Sequence, residues 1–420
     1  MTVSFFPGPK AWMGNCNTGA GMIIRKSFVV ISSVLGIMLI CNFSIHGQES
    51  ILSSYERNFI RASLPEKARV LTDAALDERA DEFIGSLYNT ALSFALFNGE
   101  TLKGDPDMTA LVAAAARGTA AADNRTSVSI LWELFRLYND SYSRVEILGA
   151  LAALGKENSE LIENLNGFLS EQNASYRRND YMQTGSQDYP VIRACIAALG
   201  KLGESSSFPV VFSAMTSGYP QIIIQETLKA MESIQGDYKD FLVDVIRNNP
   251  FSEKAAAFRI GAYNEKLTPE ERGELAQTAL EISLENSGPA ELSLRYDAIT
   301  ILTRLKWSPA ASLAVRNFYQ VQADFSGGII PMERLLEAIA CLGVMSSSEA
   351  AQALALQLGF INSETERTGK YDEAIALAII NSLGELADKA AFDNLLYIGY
   401  LNYPDKIQAA AREALNRLKW

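Results

Sequence analysis

The chain has 420 residues, 48% hydrophobic and 20% charged, the balance of a folded globular protein and not of a disordered, collagen-like or low-complexity one. At about 150 residues per domain the length allows two to three domains. Lys and Arg number 37 against 49 Asp and Glu, and the net charge of −12 argues against nucleic acid as a partner, while the single histidine, His46, nearly excludes imidazole chemistry.

Ile23-Ile24-Arg25-Lys26 is followed by an uncharged apolar stretch from Ser27 to Ile40, the pattern of a secretory signal peptide. Residues 1–21 carry no such pattern, so Met22 is the expected start. Ile45-His46-Gly47 precedes Gln48 with a small residue at the last position, which places the expected cut before Gln48 and removes His46. Two other readings stay open. In one, Cys41 is lipidated, although the large Ile40 stands where a small residue is usual. In the other, residues 27–45 remain as a membrane tether, since about 18 apolar residues just span a bilayer. All three put the bulk of the chain outside the cytoplasm, periplasmic or extracellular. Processing at Gln48 leaves Cys195 and Cys341, both in apolar helical runs and expected as separate buried thiols.

Beyond Gln48, apolar residues recur every three or four positions, which predicts an all-α protein. Residues 48–104 read as an irregular helical N-terminal cap. Three acidic pairs are candidates for acid–base work: Asp73 with Asp77, which could share a helix face, Asp105 with Asp107, and Glu270 with Glu271. A solvated or capping role is the expectation for each. In particular, Thr268-Pro269-Glu270-Glu271 has the order of a helix N-terminus.

Ile147 to Gly155 matches Ile192 to Gly200 when the two glycines are superposed, and weaker copies end at Leu342-Gly343 and Leu383-Gly384. The repeating unit is helix, glycine-bearing turn, helix, and Gly149, Ala150, Ala197 and Ala198 are expected where adjacent helices approach closely. Between the two best copies, Asn173 to Pro190 is too polar for a core helix and reads as a long loop. Its arginines and tyrosines, Tyr176, Arg177, Arg178, Tyr181 and Tyr189, are of the types enriched at binding hot spots and form the candidate partner-binding set. A mobile insertion with no partner is the other reading of this loop.

Val191 to Gly203 resembles the first helix of a HEAT repeat of the short bacterial type, with an apolar residue before Arg193, then Ala194, then Ala198-Leu199-Gly200 and a closing Leu202-Gly203. Pro209 fits the opening turn of the second helix. The resemblance implies an α-solenoid, an armadillo-like superhelix of stacked antiparallel helix pairs over residues 105–420, with about eight units at an irregular period of roughly 31 to 46 residues. Ala387, and Lys306-Trp307, depart from the pattern where glycine is expected. It also implies an interaction scaffold whose second helices, such as 209–217 and 308–318, line the inner surface and bind a protein or peptide, with no cofactor.

Toward the C-terminus, Ser326-Gly327-Gly328 reads as a turn. Gly369-Lys370 is a loop and not a phosphate cradle, since Tyr371 stands where Ser or Thr is needed. Tyr397, Tyr400 and Tyr403 are expected in the core between the last repeats, and 408–420 as a capping helix without a partner. The reading is thus a non-enzymatic exported scaffold. A carboxylate-dependent envelope enzyme or an envelope spacer are the alternatives.

Overall fold

A computed structural model of the chain describes residues 53–77, 84–178, 188–286 and 288–419. The export segment, with Met22, Cys41 and His46, lies outside the described residues. Within them every regular element is helical, apart from an isolated bridge between Asp388 and Lys419. The fold is all-α with solenoid-like order. No helix among the described residues is long and apolar enough to cross a membrane.

Two compact units are distinguished. The described parts of Met1–Phe168 with Gly185–Leu202 form one, and those of Leu169–Thr184 with Gly203–Trp420 the other. The first contains α1 (53–61), α2 (Leu64–Ala75), α3 (Ile84–Leu102), α4 (Pro106–Ala121), α5 (Val128–Leu137), α6 (Ser141–Leu154) and α8 (Tyr189–Leu202). The division falls inside α7 (Ser159–Arg177). Here α2 and α3 pack on α4, α3 on α5, α4 and α5 on α6, and α6 on α8.

The second unit continues with α9 (Phe208–Thr216), α10 (Gln221–Ser233), α11 (Lys239–Asn248), α12 (Phe251–Ala262), α13 (Pro269–Glu285), α14 (Pro289–Leu305) and α15 (Ala311–Ser326). It ends with α16 (Met332–Gly343), α17 (Ser348–Thr368), α18 (Glu373–Leu386), α19 (Phe392–Tyr397) and α20 (Asp405–Arg417). From α11 onward each helix packs on the next but one, and on the next as well except at α14 with α15 and α18 with α19. Two layers follow: α12, α14, α16, α18 and α20 form one, and α11, α13, α15, α17 and α19 the other. A helix pair cannot bury its apolar face alone, and stacking makes the core continuous.

Local chemistry sets the helix ends. Asp105 accepts from the Asp107 and Met108 amides, and Thr268 with Glu271 forms a reciprocal capping box with Pro269 in the first turn. Asp105 and Glu271 are thus capping groups, the second where the order Thr268-Pro269-Glu270-Glu271 suggested a helix start. Asp73 and Asp77 do not share a helix face, because α2 ends at Ala75: Asp73 pairs with exposed Arg69 at 3.8 Å, and Asp77 accepts from the Tyr55 hydroxyl at 3.1 Å.

Cys195 and Cys341 are free and buried. Burial pushes their thiols up to about 12 and about 11, so both stay protonated and inert at neutral pH. Ala150 and Ala198 are buried as expected, whereas Gly149 is exposed with open space where a Cβ would stand. It lies on the far side of α6 from Ile147, Leu148, Ala150 and Leu151, which face the core.

Lys306 and Ala387, where the repeat pattern calls for glycine, both adopt left-handed backbone at helix C-termini, with φ of 51° and 53°. An L-residue pays about 1 kcal/mol or more there and glycine does not. Lys306→Gly is therefore expected to raise stability by about 1 kcal/mol, measured as a later urea midpoint at unchanged slope. An earlier midpoint would show that the lysine stem contributes more than the backbone loses.

The tyrosine series does not form one core stripe. Tyr403 is buried, but Tyr397 is 38% and Tyr400 77% exposed. The physical reason is that α19 stops at Tyr397 and a 3-10 turn, Ile398–Tyr400, rotates the chain before Tyr403. The last helix begins at Asp405 and is not without a partner. It packs on α18 and α19, and Arg417 bridges Glu385 at 2.7 Å and Glu413 at 2.5 Å.

Candidate functional site

The segment expected as a long loop from Asn173 starts as helix, because α7 runs on to Arg177. Several of its polar groups are engaged by α9 and the turn that follows it. Buried Asn173 donates from Nδ2 to the Val210 carbonyl at 3.0 Å, and Tyr176 stacks on Tyr219 with ring centroids 4.2 Å apart. Arg177 donates to the Ser217 and Ser213 hydroxyls, both at 3.0 Å, and to the Thr216 hydroxyl and Ser213 carbonyl at 3.3 Å. A guanidinium there complements the negative end of α9. Thus Tyr176 and Arg177 come together as a clamp on α9. Arg178 is exposed in the turn that follows, half-buried Tyr189 opens α8 in the other unit, and Tyr181 lies outside the described residues.

An exposed apolar surface of the second unit lies elsewhere, on α17 and α19. Leu356 is 52% and Phe360 62% exposed, and with Gly359, Ser363, Asn394 and Tyr397 they line a cavity of about 340 Å³. Tyr319, on the neighbouring α15, is also exposed, as are Leu396 and Tyr400 beside Tyr397. Leu356, Phe360 and Ser363 follow at spacings of four and three and share one face. The core stripe of the same helix is Leu354, Leu358, Asn362 and Thr365.

Two side-chain amides, buried Asn362 and half-buried Asn394, pin the floor of this groove. Asn394 donates to the Ala355 carbonyl at 2.8 Å, and Asn362 donates to the Asn394 carbonyl at 2.9 Å, so each of the two helices is tied to the backbone of the other. The Tyr403 hydroxyl donates to Asn362 Oδ1 at 3.1 Å and shares a 2.9 Å hydrogen bond with Thr365. Every added bond restricts how α17 and α19 can move relative to each other, and a preorganised surface loses less entropy on binding. At the rim, the Tyr397 hydroxyl donates to Glu366 at 2.9 Å, and that hydrogen bond raises the phenol above its ordinary value and keeps it a donor. The lining groups suit apolar contact and hydrogen bonding. None of them is a base at neutral pH.

Other cavities lie apart from this groove. One of about 290 Å³ beside Trp132 is rimmed by Glu133, Arg136, Glu160 and Asn164. One of about 420 Å³ between α10 and α12 has Leu228, Met231, Ile260 and Tyr263 at its base, with Arg304 held over the Tyr263 ring at 5.6 Å. The α17–α19 groove differs in having its two helices tied together beneath it by the Asn362 and Asn394 amides.

Sequence reasoning missed Leu356 and Phe360 because an apolar residue in a helical repeat reads as core. The available signal was a second apolar phase on α17, out of step with Leu354 and Leu358. The chain matches no family model and no curated protein.

Proposed function

We propose that this protein is an exported, non-enzymatic scaffold of HEAT-like repeats that binds a protein or peptide partner on the outward face of its α11-to-α19 layer. The single observation that supports it most is the preorganised groove of Leu356, Phe360 and Tyr397. Contiguous exposed apolar side chains mark interaction sites more often than chance placement does. Burying a leucine or phenylalanine against a partner contributes about 1.5–3 kcal/mol each. Two such anchors are enough to make a hot spot, and the phenol and the Ser363 hydroxyl supply orientation. Export follows from the basic and apolar run between Arg25 and Ile45, and the scaffold role from the stacked pairs, which offer extended area for a partner.

The test is site-specific photocrosslinking in the native cell from position 360 and, as control, from Glu333 on α16 in the opposite layer. The expected result is one abundant adduct from position 360 that is lost when Leu356→Asp is added, with the unfolding midpoint unchanged because Leu356 is surface-exposed. Truncating a hot-spot anchor should weaken capture by about thirtyfold or more. The same set of adducts from both positions would overturn the proposal.

A further inference from the structure

We infer that the partner segment is basic as well as apolar: an extended peptide with two large apolar side chains in the α17–α19 groove and a Lys/Arg cluster about five to six residues away, over α13. This rests on the groove reading above and adds the chemistry of the occupant.

The argument starts from the outward face of the same layer. On α13, Glu270, Glu274, Glu281 and Glu285 are all exposed, and at 100° per residue they fall within about 60° of one another. On adjacent α11, Asp240 and Asp244 are exposed too. Lys239 is shared between Asp240 at 2.8 Å and Glu274 at 2.9 Å, and these two carboxylates hold its ammonium well above the usual lysine range. Glu270, Glu281 and Glu285 have no cation within ion-pair distance among the described residues. Arg247 on α11 and Arg316 on α15 are the exposed cations of this face, so six acids stand against three bases.

Glu270, in the first turn, is favoured by the helix dipole, but the other charges of this row do not serve α13 itself. Like charges four residues apart repel, which applies to Glu270 with Glu274 and to Glu281 with Glu285. Glu281 and Glu285 also lie toward the helix C-terminus, where the macrodipole is already negative. The face therefore carries negative potential that its own helix does not neutralise, and an external cation would. A metal ion is not the matching cation, since among the described residues no grouping of three or more His, Cys, Asp or Glu could hold one. A row of carboxylates spaced along a helix suits several separate ammonium or guanidinium groups, as on a Lys/Arg-rich peptide.

Geometry sets the spacing. Packed helices lie about 8–10 Å apart, so α13 to α17 is two steps, about 16–20 Å. An extended chain covers that in about five or six residues. The apolar groove supplies most of the binding free energy, and the acidic stripe supplies the on-rate, the salt dependence and the choice against acidic segments.

The experiment is selection of a random 16-residue peptide display library on the purified full chain at low salt. Leu356→Asp/Phe360→Asp and Glu281→Gln/Glu285→Gln variants are run beside it, each first checked for an unchanged unfolding midpoint. Expected are peptides with a pair of large apolar residues and a Lys/Arg cluster five to six positions away, all lost on the first variant. A synthetic copy should bind about tenfold more weakly to the second, with a shallower salt dependence. Peptides that need the groove but show no Lys/Arg enrichment and ignore the second variant would overturn this inference and leave the groove reading standing. Recovery of no groove-dependent peptide would overturn both.

Discussion

Arg295→Ala is expected to destabilise the second unit by about 3–5 kcal/mol, read as an earlier urea midpoint. Arg295, on α14, is fully buried and heads the largest such side chains in the protein. Its Nη2 donates to the carbonyls of Ser283 at 2.7 Å and Asn286 at 3.3 Å, which belong to the C-terminal end of α13. A cation at that end meets unpaired carbonyls and the negative pole of the helix, so the guanidinium acts as a C-terminal cap delivered from the next helix. Burial pulls its pKa below the arginine range, against the opposing pull of Tyr296 and Asp324, yet arginine remains charged at any ordinary pH. Removing the side chain therefore does two things at once: it strips the α13 carbonyls of their donor and leaves a cavity.

Arg295→Met separates the two. Methionine fills most of the volume and removes the buried charge, so its cost is expected to be about 2 kcal/mol less than that of alanine. Equal losses for both variants would mean that the cap, and not packing, sets the stability here.

Gly343→Leu is expected to cost about 3 kcal/mol by overpacking. Gly343 closes α16, and a Cβ on it would lie 2.8 Å from the Ser382 Cβ and 3.1 Å from the Ser382 Cα of α18. The second of these is backbone and cannot swing aside. The equivalent glycine of the next copy, Gly384, meets Ala414 of α20 at 3.2 Å. The Leu-Gly copies at 342–343 and 383–384 thus mark where one helix of this layer touches the next, and any side chain at 343 must push α16 and α18 apart. Gly343→Ala should cost less than leucine. A leucine variant that unfolds with the wild-type midpoint would show that the layer can separate without loss.

Much of this architecture was legible in the residues. The three-and-four periodicity predicts an all-α chain, and Thr268 and Pro209 mark starts where the chain does begin a helix. Lys306 and Ala387 carry the left-handed turn that glycine would make, so the departures from the repeat are departures of residue type and not of backbone. The polar stretch after Asn173 was misread because polarity alone does not distinguish a solvated loop from a helix end clamped by a neighbour. Arg177 is polar and exposed, yet held by Ser213 and Thr216 of α9 and by Ser217 just beyond it.

What the sequence by itself determined are the properties written over one or two helical turns: helix phase, caps, turn residues and the burial of Cys195 and Cys341. The α17–α19 groove, the cap that Arg295 supplies to α13 and the clamp of Arg177 on α9 were decided only by tertiary structure. Each joins groups on separate helices, and in the groove and the clamp these lie 32 to 40 residues apart. Their meeting depends on how helix lengths and short connections set the stagger of one helix pair on the next. Periodicity says which face of a helix is apolar. Only the stacking says that Leu356 and Phe360 are left half or more exposed.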